Sequence, residues 1–173
     1  VKSGNKLEIL CKVGMAQNTH IIVEKGAQLV IGAGGELTNI SCQYWGGISV
    51  QGSTNLPQIV NGTTGFAVNQ GVVRVINGGK ISNAENGIKN YTTFSNGNID
   101  WSSRGGVIVG NGGVFENNVR DIEFISYHNS WGNDYSTFTN CQFLTTKNSL
   151  PYPFVHVTLW DVKGVQFKGC NFE

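Results

Sequence analysis

The chain is poor in charge, proline and methionine. Only 13% of its 173 residues are charged, with 3 Pro and 1 Met, where an average soluble protein carries about 25% charge. The net charge is +1, so nothing in the charge balance points to nucleic acid. Long stretches rich in Ala, Leu, Glu and Lys are missing, which excludes a helical bundle. Apolar runs stop after a few residues, so no membrane-spanning helix is expected. The opening Val1-Lys2-Ser3-Gly4-Asn5-Lys6 shows no apolar signal core, and the chain is expected to be a piece of a longer one. The four cysteines, Cys11, Cys42, Cys141 and Cys170, form no Cys-x-x-Cys pair, and His20, His128 and His156 stand apart from them. That argues against a zinc site. Buried free thiols are the favoured expectation, with two disulfides in any of three pairings left open.

What is abundant is glycine, 24 residues, and asparagine, 20 residues, beside a hydrophobic content of 39%. This is enough apolar material for one packed domain over 1–173 and too much for a disordered tail. The residues are ordered by an internal repeat. Leu29-Val30-Ile31-Gly32-Ala33-Gly34-Gly35-Glu36-Leu37-Thr38-Asn39 is followed by Val73-Arg74-Val75-Ile76-Asn77-Gly78-Gly79-Lys80-Ile81-Ser82-Asn83. A third copy is Val107-Ile108-Val109-Gly110-Asn111-Gly112-Gly113-Val114-Phe115-Glu116-Asn117. The shared pattern is apolar-x-apolar-x-x-Gly-Gly-x-apolar-x-Asn. Its end alone recurs in Phe138-Thr139-Asn140-Cys141-Gln142-Phe143 and Phe167-Lys168-Gly169-Cys170-Asn171-Phe172.

Each copy reads as a short strand, a bend and a second short strand. Alternation puts Leu29 and Ile31, or Val73 and Val75, on one face. Such a unit cannot bury its apolar face alone and must stack on its own copies. Strand-built repeats of about 22 to 25 residues predict an all-β solenoid, a right-handed parallel β-helix. Val73 stands 44 positions after Leu29, which is read as two coils of 22 with Ile59-Val60-Asn61 in the intervening one. Val107 follows Val73 by 34, read as one coil with an insertion around Tyr91–Ser103. The expected total is about seven coils, a rod on the order of 35 Å long. Asn39, Asn83, Asn117 and Asn140 are expected to align as an amide ladder, the alternative being independent turn residues in left-handed conformation. Phe115, Phe138 and Phe167 are expected inside.

Several segments resemble the right-handed β-helix regions of large secreted or cell-surface proteins of Bacteroidota. They are Gly14–Leu29, Cys42–Gly52, Gly71-Val72-Val73 with Asn83–Ile88, Asn118–Phe124 and Pro151–Val162. Proteins of that group typically carry a C-terminal type IX secretion sorting domain. The resemblance implies an extracellular or cell-surface location, and as partners the secretion machinery or neighbouring domains of the same protein. Its motifs are structural and bring no catalytic residues with them.

β-Helices often host polysaccharide lyases and hydrolases, whose chemistry needs recognisable acid and base groups. The pectin-hydrolase pattern (Asn-Thr-Asp, Asp-Asp, Gly-His-Gly, Arg-Ile-Lys) is absent, and so is a Gly-x-Ser-x-Gly elbow. Asp121 and Glu123 share one strand face on spacing and offer a candidate Ca²⁺ pair with help from a neighbouring coil, against the plainer reading of a solvated face. No other cofactor is expected. His156, between Val155 and Val157, reads as a surface or satisfied histidine. The best binding candidate is the polar, aromatic excursion Tyr127–Tyr135, where Tyr127, Trp131, Asp134 and Tyr135 would bind a carbohydrate by stacking and hydrogen bonding. The alternative is that its aromatics fold back onto the coil. Trp101 is a weaker candidate of the same kind, while Trp45 and Trp160 are expected to pack. These readings favour a non-enzymatic scaffold or adhesive module over a carbohydrate-binding or polysaccharide-degrading one.

Overall fold

A computed structural model describes residues 1–127, 135–146 and 155–173. The chain winds through short strands in successive coils. The first coil is β1 (Lys6–Ile9), β2 (Lys12–Met15) and β3 (His20–Val23). The second is β4 (Gln28–Ile31), β5 (Glu36–Asn39) and β6 (Trp45–Val50). The third is β7 (Val72–Ile76), β8 (Lys80–Ser82) and β9 (Ala84–Lys89), followed by a small hairpin of β10 (Thr92–Thr93) and β11 (Ile99–Asp100). The fourth is β12 (Val107–Asn111), β13 (Val114–Glu116) and β14 (Arg120–Phe124). The fifth is β15 (Thr137–Thr139), β16 (Gln142–Leu144) and β17 (Val155–Leu159), and β18 (Gln166–Lys168) and β19 (Asn171–Phe172) begin a sixth.

Equivalent strands pair in parallel. The first strands of the coils form a sheet in the order β1-β4-β7-β12-β15-β18, and the second strands a sheet β2-β5-β8-β13-β16-β19. The third strands form β3-β6-β9-β14-β17. The architecture is therefore a three-sided parallel β-helix. Among the described residues it has five complete coils and two sides of a sixth, one coil short of the number read from the repeat. The cause is the 44-residue step. Leu29 pairs directly with Val73, so the step is a single coil that carries a long excursion. Ile59-Val60-Asn61 belongs to that excursion, where Val60 bridges Ala67 in antiparallel fashion.

The core consists of columns running along the axis. In the first sheet, Ile9, Ile31, Val75, Gly110, Phe138 and Phe167 occupy one register position in successive coils. In the second, Val13, Leu37, Ile81, Phe115, Phe143 and Phe172 do the same. Both columns change from aliphatic to aromatic along the chain. Phe115, Phe143 and Phe172 stack at 4.9 and 4.6 Å between ring centroids, and Phe138 stacks on Phe167 at 4.8 Å. The strand spacing of a parallel sheet places equivalent residues of neighbouring coils at about that separation. Phe115 thus belongs to a different column from Phe138 and Phe167, and it meets Phe138 edge-on at 6.3 Å.

The third repeat copy departs from the sequence alignment by one residue. Ile108 lies opposite Val73, while Phe115 lies opposite Ile81. As a result Gly110 occupies the inward place that Val75 holds in the coil before. A Cβ there would stand 2.6 Å from Cys141 Sγ and 2.8 Å from Phe138 Cδ1, so the glycine makes room for the first ring of its column. Val107 turns outward and is buried with Val72 and Ala67, the last contributed by the excursion after β6. That excursion covers the outer face of the first sheet, which explains why all four residues of β4 are buried.

The expected asparagine ladder is not formed. Asn83 and Asn117 stand at the corner between the second and third sheets, whereas Asn140 stands between the first and second. All three have left-handed backbone, with φ of 55°, 57° and 51°. Their role is that of turn residues, which tolerate this conformation better than other non-glycine residues. The Asn83 and Asn117 amides donate to Thr38 and Thr146 hydroxyls rather than to each other. On the outer face of the second sheet a charge ladder crosses four coils instead: Lys12–Glu36 at 3.2 Å, Glu36–Lys80 at 3.6 Å and Lys80–Glu116 at 2.6 Å.

Cys141 is buried with a free thiol, as expected, but Cys11 and Cys42 are exposed and Cys170 is half-buried. Trp45 is fully buried and donates its indole N–H to the Ser82 carbonyl at 2.9 Å. Trp160, expected to pack, is exposed.

Candidate functional site: the loop-bearing corner

The connections from the third side of one coil to the first side of the next are long in three successive coils. They are residues 51–71, 90–106 and 125–136, which join β6 to β7, β9 to β12 and β14 to β15. Their described residues, 51–71, 90–106, 125–127 and 135–136, lie at one corner of the helix, one above another. Buried amide side chains brace them, Gln70 within the first and Gln58 and Asn90 from one to another. Gln70 accepts from the Ser53 N–H at 2.7 Å and donates to the Leu56 carbonyl at 3.1 Å. Gln58 donates to the Gly105 carbonyl and accepts from the Tyr135 N–H, at 2.9 and 2.6 Å. Asn90 accepts from the Ile125 N–H at 3.0 Å. Backbone joins in, with Gly52 N–H donating to the Ser103 carbonyl at 2.6 Å. A buried polar group without such a partner would cost about 1–3 kcal/mol, so these amides fix the loops against one another.

The middle excursion is itself braced. The β10–β11 hairpin closes with Phe94 N–H donating to the Asn98 carbonyl at 2.8 Å. A single 3-10 turn, Trp101–Ser103, follows, with Asp100 accepting from the Ser102 N–H at 3.0 Å and from its hydroxyl at 2.6 Å. The Trp101 carbonyl accepts from the Thr54 hydroxyl at 2.9 Å and from Arg104 Nε at 2.7 Å. The backbone of Trp101 is held on both sides while its ring projects outward, 56% exposed, with the Arg104 guanidinium 5.2 Å from the ring centroid. Trp101 borders an open groove of about 550 Å³ and a second hollow walled by Phe94, Asn98 and Ile99.

The residues singled out for carbohydrate binding divide. Tyr127 is buried, its ring packed so closely over Gly105 that a side chain there would collide with it, and its hydroxyl donates to the Leu56 carbonyl at 2.6 Å. It presents no free face and serves to pin the first excursion to the third. Tyr135 is 61% exposed beside Gln58. Trp131 and Asp134 lie outside the described residues. Trp101, the secondary candidate, is the aromatic that borders both hollows. Lys25, Thr54, Asn55 and Arg104, which line the groove with it, carried no signal of their own. Reading the 44-residue step as one coil would have placed 53–56 in a loop at this corner.

The proposed Ca²⁺ pair is not arranged to bind an ion. Asp121 is buried, accepts from Asn118 Nδ2 at 2.7 Å and lies 2.6 Å from His156 Nδ1. Glu123 pairs with Arg120 at 2.6 Å and accepts from the Tyr91 hydroxyl at 2.9 Å. Each carboxylate is committed to a different partner, and no cluster of three or more metal-ligating side chains occurs among the described residues. His156 is a satisfied histidine. The hydrogen bond it donates to the Asp121 carboxylate holds its pKa above the ordinary value. Burial pushes the Asp121 carboxyl up, and the bonds from His156 and Asn118 pull it part of the way back. Lys89, buried 5.1 Å above the Tyr91 ring, has its pKa lowered by desolvation.

No family model, curated protein or solved structure matches the chain. Among the described residues no helix is long and apolar enough to cross a membrane.

Proposed function

We propose that this chain is a non-enzymatic β-helix module of a large secreted or cell-surface protein, a scaffold that presents one corner to the molecules it meets. The observation that carries this reading is the stacking of the three excursions at a single corner, joined to one another by Gln58 and Asn90. Loops on a rigid support are where binding groups are normally placed. The acid–base groups that meet elsewhere, Asp121 with His156 and Glu123 with Arg120 and Tyr91, are bonded to one another rather than aimed into a hollow. Export as a type IX substrate, with the secretion machinery and neighbouring domains as partners, rests on the resemblance of the coil segments to exported Bacteroidota β-helices.

Two measurements test the proposal. Antibody labelling of intact cells that make the full-length protein should stain the surface or the medium, and a signal confined to the cytosol would refute the location. Incubation of the purified chain with a panel of polysaccharides should release no new reducing ends and no unsaturated products. Turnover there would replace the scaffold by a polysaccharide-degrading enzyme. The second reading, carbohydrate binding without cleavage, is favoured by the exposed indole of Trp101, which borders two hollows.

A further inference from the structure

The groove beside Trp101 has a chemistry of its own. Its walls come from three elements that are distant in sequence: Lys25 in the turn before β4, Ser53, Thr54 and Asn55 at the start of the first excursion, and Ser102 and Arg104 in the second. Two of these side chains are cationic and none is a carboxylate. The nearby Asp100 is occupied in capping Ser102. Arg104 donates to the Trp101 carbonyl and to Ser126 Oγ at 2.7 and 2.6 Å, and no acidic residue pairs with it or with Lys25 among the described residues. Along the Lys12–Glu36–Lys80–Glu116 ladder, by contrast, cations and carboxylates alternate and pair. At the groove, two cations without a counter-charge border one polar hollow.

We propose that this groove binds an acidic oligosaccharide, with one sugar ring stacked on the Trp101 indole and a carboxylate or sulfate held by Lys25 and Arg104. The C–H face of a pyranose suits an exposed aromatic ring. Ser53 and Asn55 supply donors and acceptors for a sugar, and the Thr54 and Ser102 hydroxyls, whose hydrogens go to the Trp101 carbonyl and to Asp100, still accept. A guanidinium recognises a planar carboxylate through two parallel N–H donors, whereas an ammonium acts as a point charge. The openness of the groove fits a chain that passes through it rather than a small molecule enclosed by it. This inference rests on the reading of the corner as a binding surface and assigns the ligand class that the surface takes.

The test is isothermal titration of the purified chain with oligogalacturonate, with sulfated heparin oligosaccharides and with a neutral galactan oligosaccharide of the same length. One or both acidic probes should bind saturably and at least about tenfold more tightly than the neutral one at low salt, with affinity falling as salt rises. The two acidic probes decide between carboxylate and sulfate. Trp101→Ala should weaken binding about tenfold, the equivalent of losing one good aromatic stack. It should leave the far-UV circular dichroism and the melting temperature unchanged, because the bonds that organise the loop use the Trp101 carbonyl and not its ring. Lys25→Gln should weaken binding about threefold and flatten the salt dependence. Equal affinity for the neutral probe, absence of binding, or indifference to Trp101→Ala would overturn the assignment. Cleavage of a bound probe would overturn the non-enzymatic reading while leaving the groove as the binding site.

Discussion

Phe138→Ala probes the logic of the core columns most directly. The Phe138 ring is fully buried, stacks on Phe167 at 4.8 Å and meets Phe115, Phe143 and Phe124 edge-on at 6.3, 6.0 and 6.4 Å. Truncating a buried phenylalanine costs about 3–5 kcal/mol, and the cost rises with the cavity that remains. Here the cavity has little means of closing. Coil spacing is set by parallel hydrogen bonds on three sides, and the position before Phe138 in its column is Gly110, which has no side chain to move in. The loss should therefore lie near the upper end, about 4–5 kcal/mol, a large fraction of the 5–15 kcal/mol typical of a folded domain. With a urea m-value of about 2 kcal/mol/M, the midpoint followed by circular dichroism should fall by about 2 M. Gly110→Ala supplies the internal control. In the native background it should cost about 1–3 kcal/mol through overpacking, and in the Phe138→Ala background the cost should shrink by about 1 kcal/mol, because one of its two close neighbours is gone. A Phe138→Ala loss under about 2 kcal/mol, or strict additivity in the cycle, would refute the claim that the glycine exists to admit the ring.

Three further perturbations separate the contributions of corner, pair and buried charge. Asn140 has a φ of 51°, so Asn140→Gly should change the melting temperature little, while Asn140→Val should cost about 1–2 kcal/mol; equal effects would show that backbone conformation is not what the corner selects. The His156 pKa is raised by Asp121, so the stability it contributes is fully present below its unfolded value near 6.5 and is lost as pH rises through the higher folded value. NMR should find His156 titrating above 6.5, and Asp121→Asn should bring it down; no movement would break the pairing argument. Lys89 is shifted the other way by burial, so the native state gains stability as pH rises from its lowered pKa toward 10.5. Lys89→Met should stabilise the protein at pH 7, by a margin that narrows toward pH 10, and a destabilised variant would mean that the ammonium is needed.

The fold was legible because its cause is periodic. A residue that must stack on its equivalent in the next coil repeats in the sequence, and apolar alternation around Gly-Gly made the strands and bends readable without any longer-range knowledge. Where the reading failed, the structure replaced one kind of regularity with another. The step from Leu29 to Val73 equals twice the 22-residue coil that separates Leu7 from Leu29, so one coil with an excursion mimicked two coils. The third copy kept its Gly-Gly register in the second sheet but slipped by one in the first. Pattern matching cannot register such a slip, because Val107, Ile108 and Val109 are interchangeable in an apolar template. The position that distinguishes them, Gly110 against Phe138, becomes visible only when coils are stacked.

The binding corner was legible for a different reason and in a different measure. Excursions interrupt the period, and two of the three, Tyr91–Ser103 and Tyr127–Tyr135, were visible as interruptions. Which aromatics within them remain exposed depends on contacts between excursions, and these connect residues 22 to 77 positions apart, as in Arg104 with Ser126 and Gln58 with Tyr135. No local rule tells Tyr127, which is pinned against Gly105 and the Leu56 carbonyl, from Trp101, whose carbonyl takes the structural bonds and releases the ring. The distinction is one of which atom is used. Where backbone and buried amides carry the attachment, side-chain rings are left over for a ligand, and where the ring itself is the attachment, as in Tyr127, it is consumed. By the same criterion Lys25 and Arg104 gain meaning only together, since each is an ordinary surface cation until the coil brings them to one groove without an acid between them.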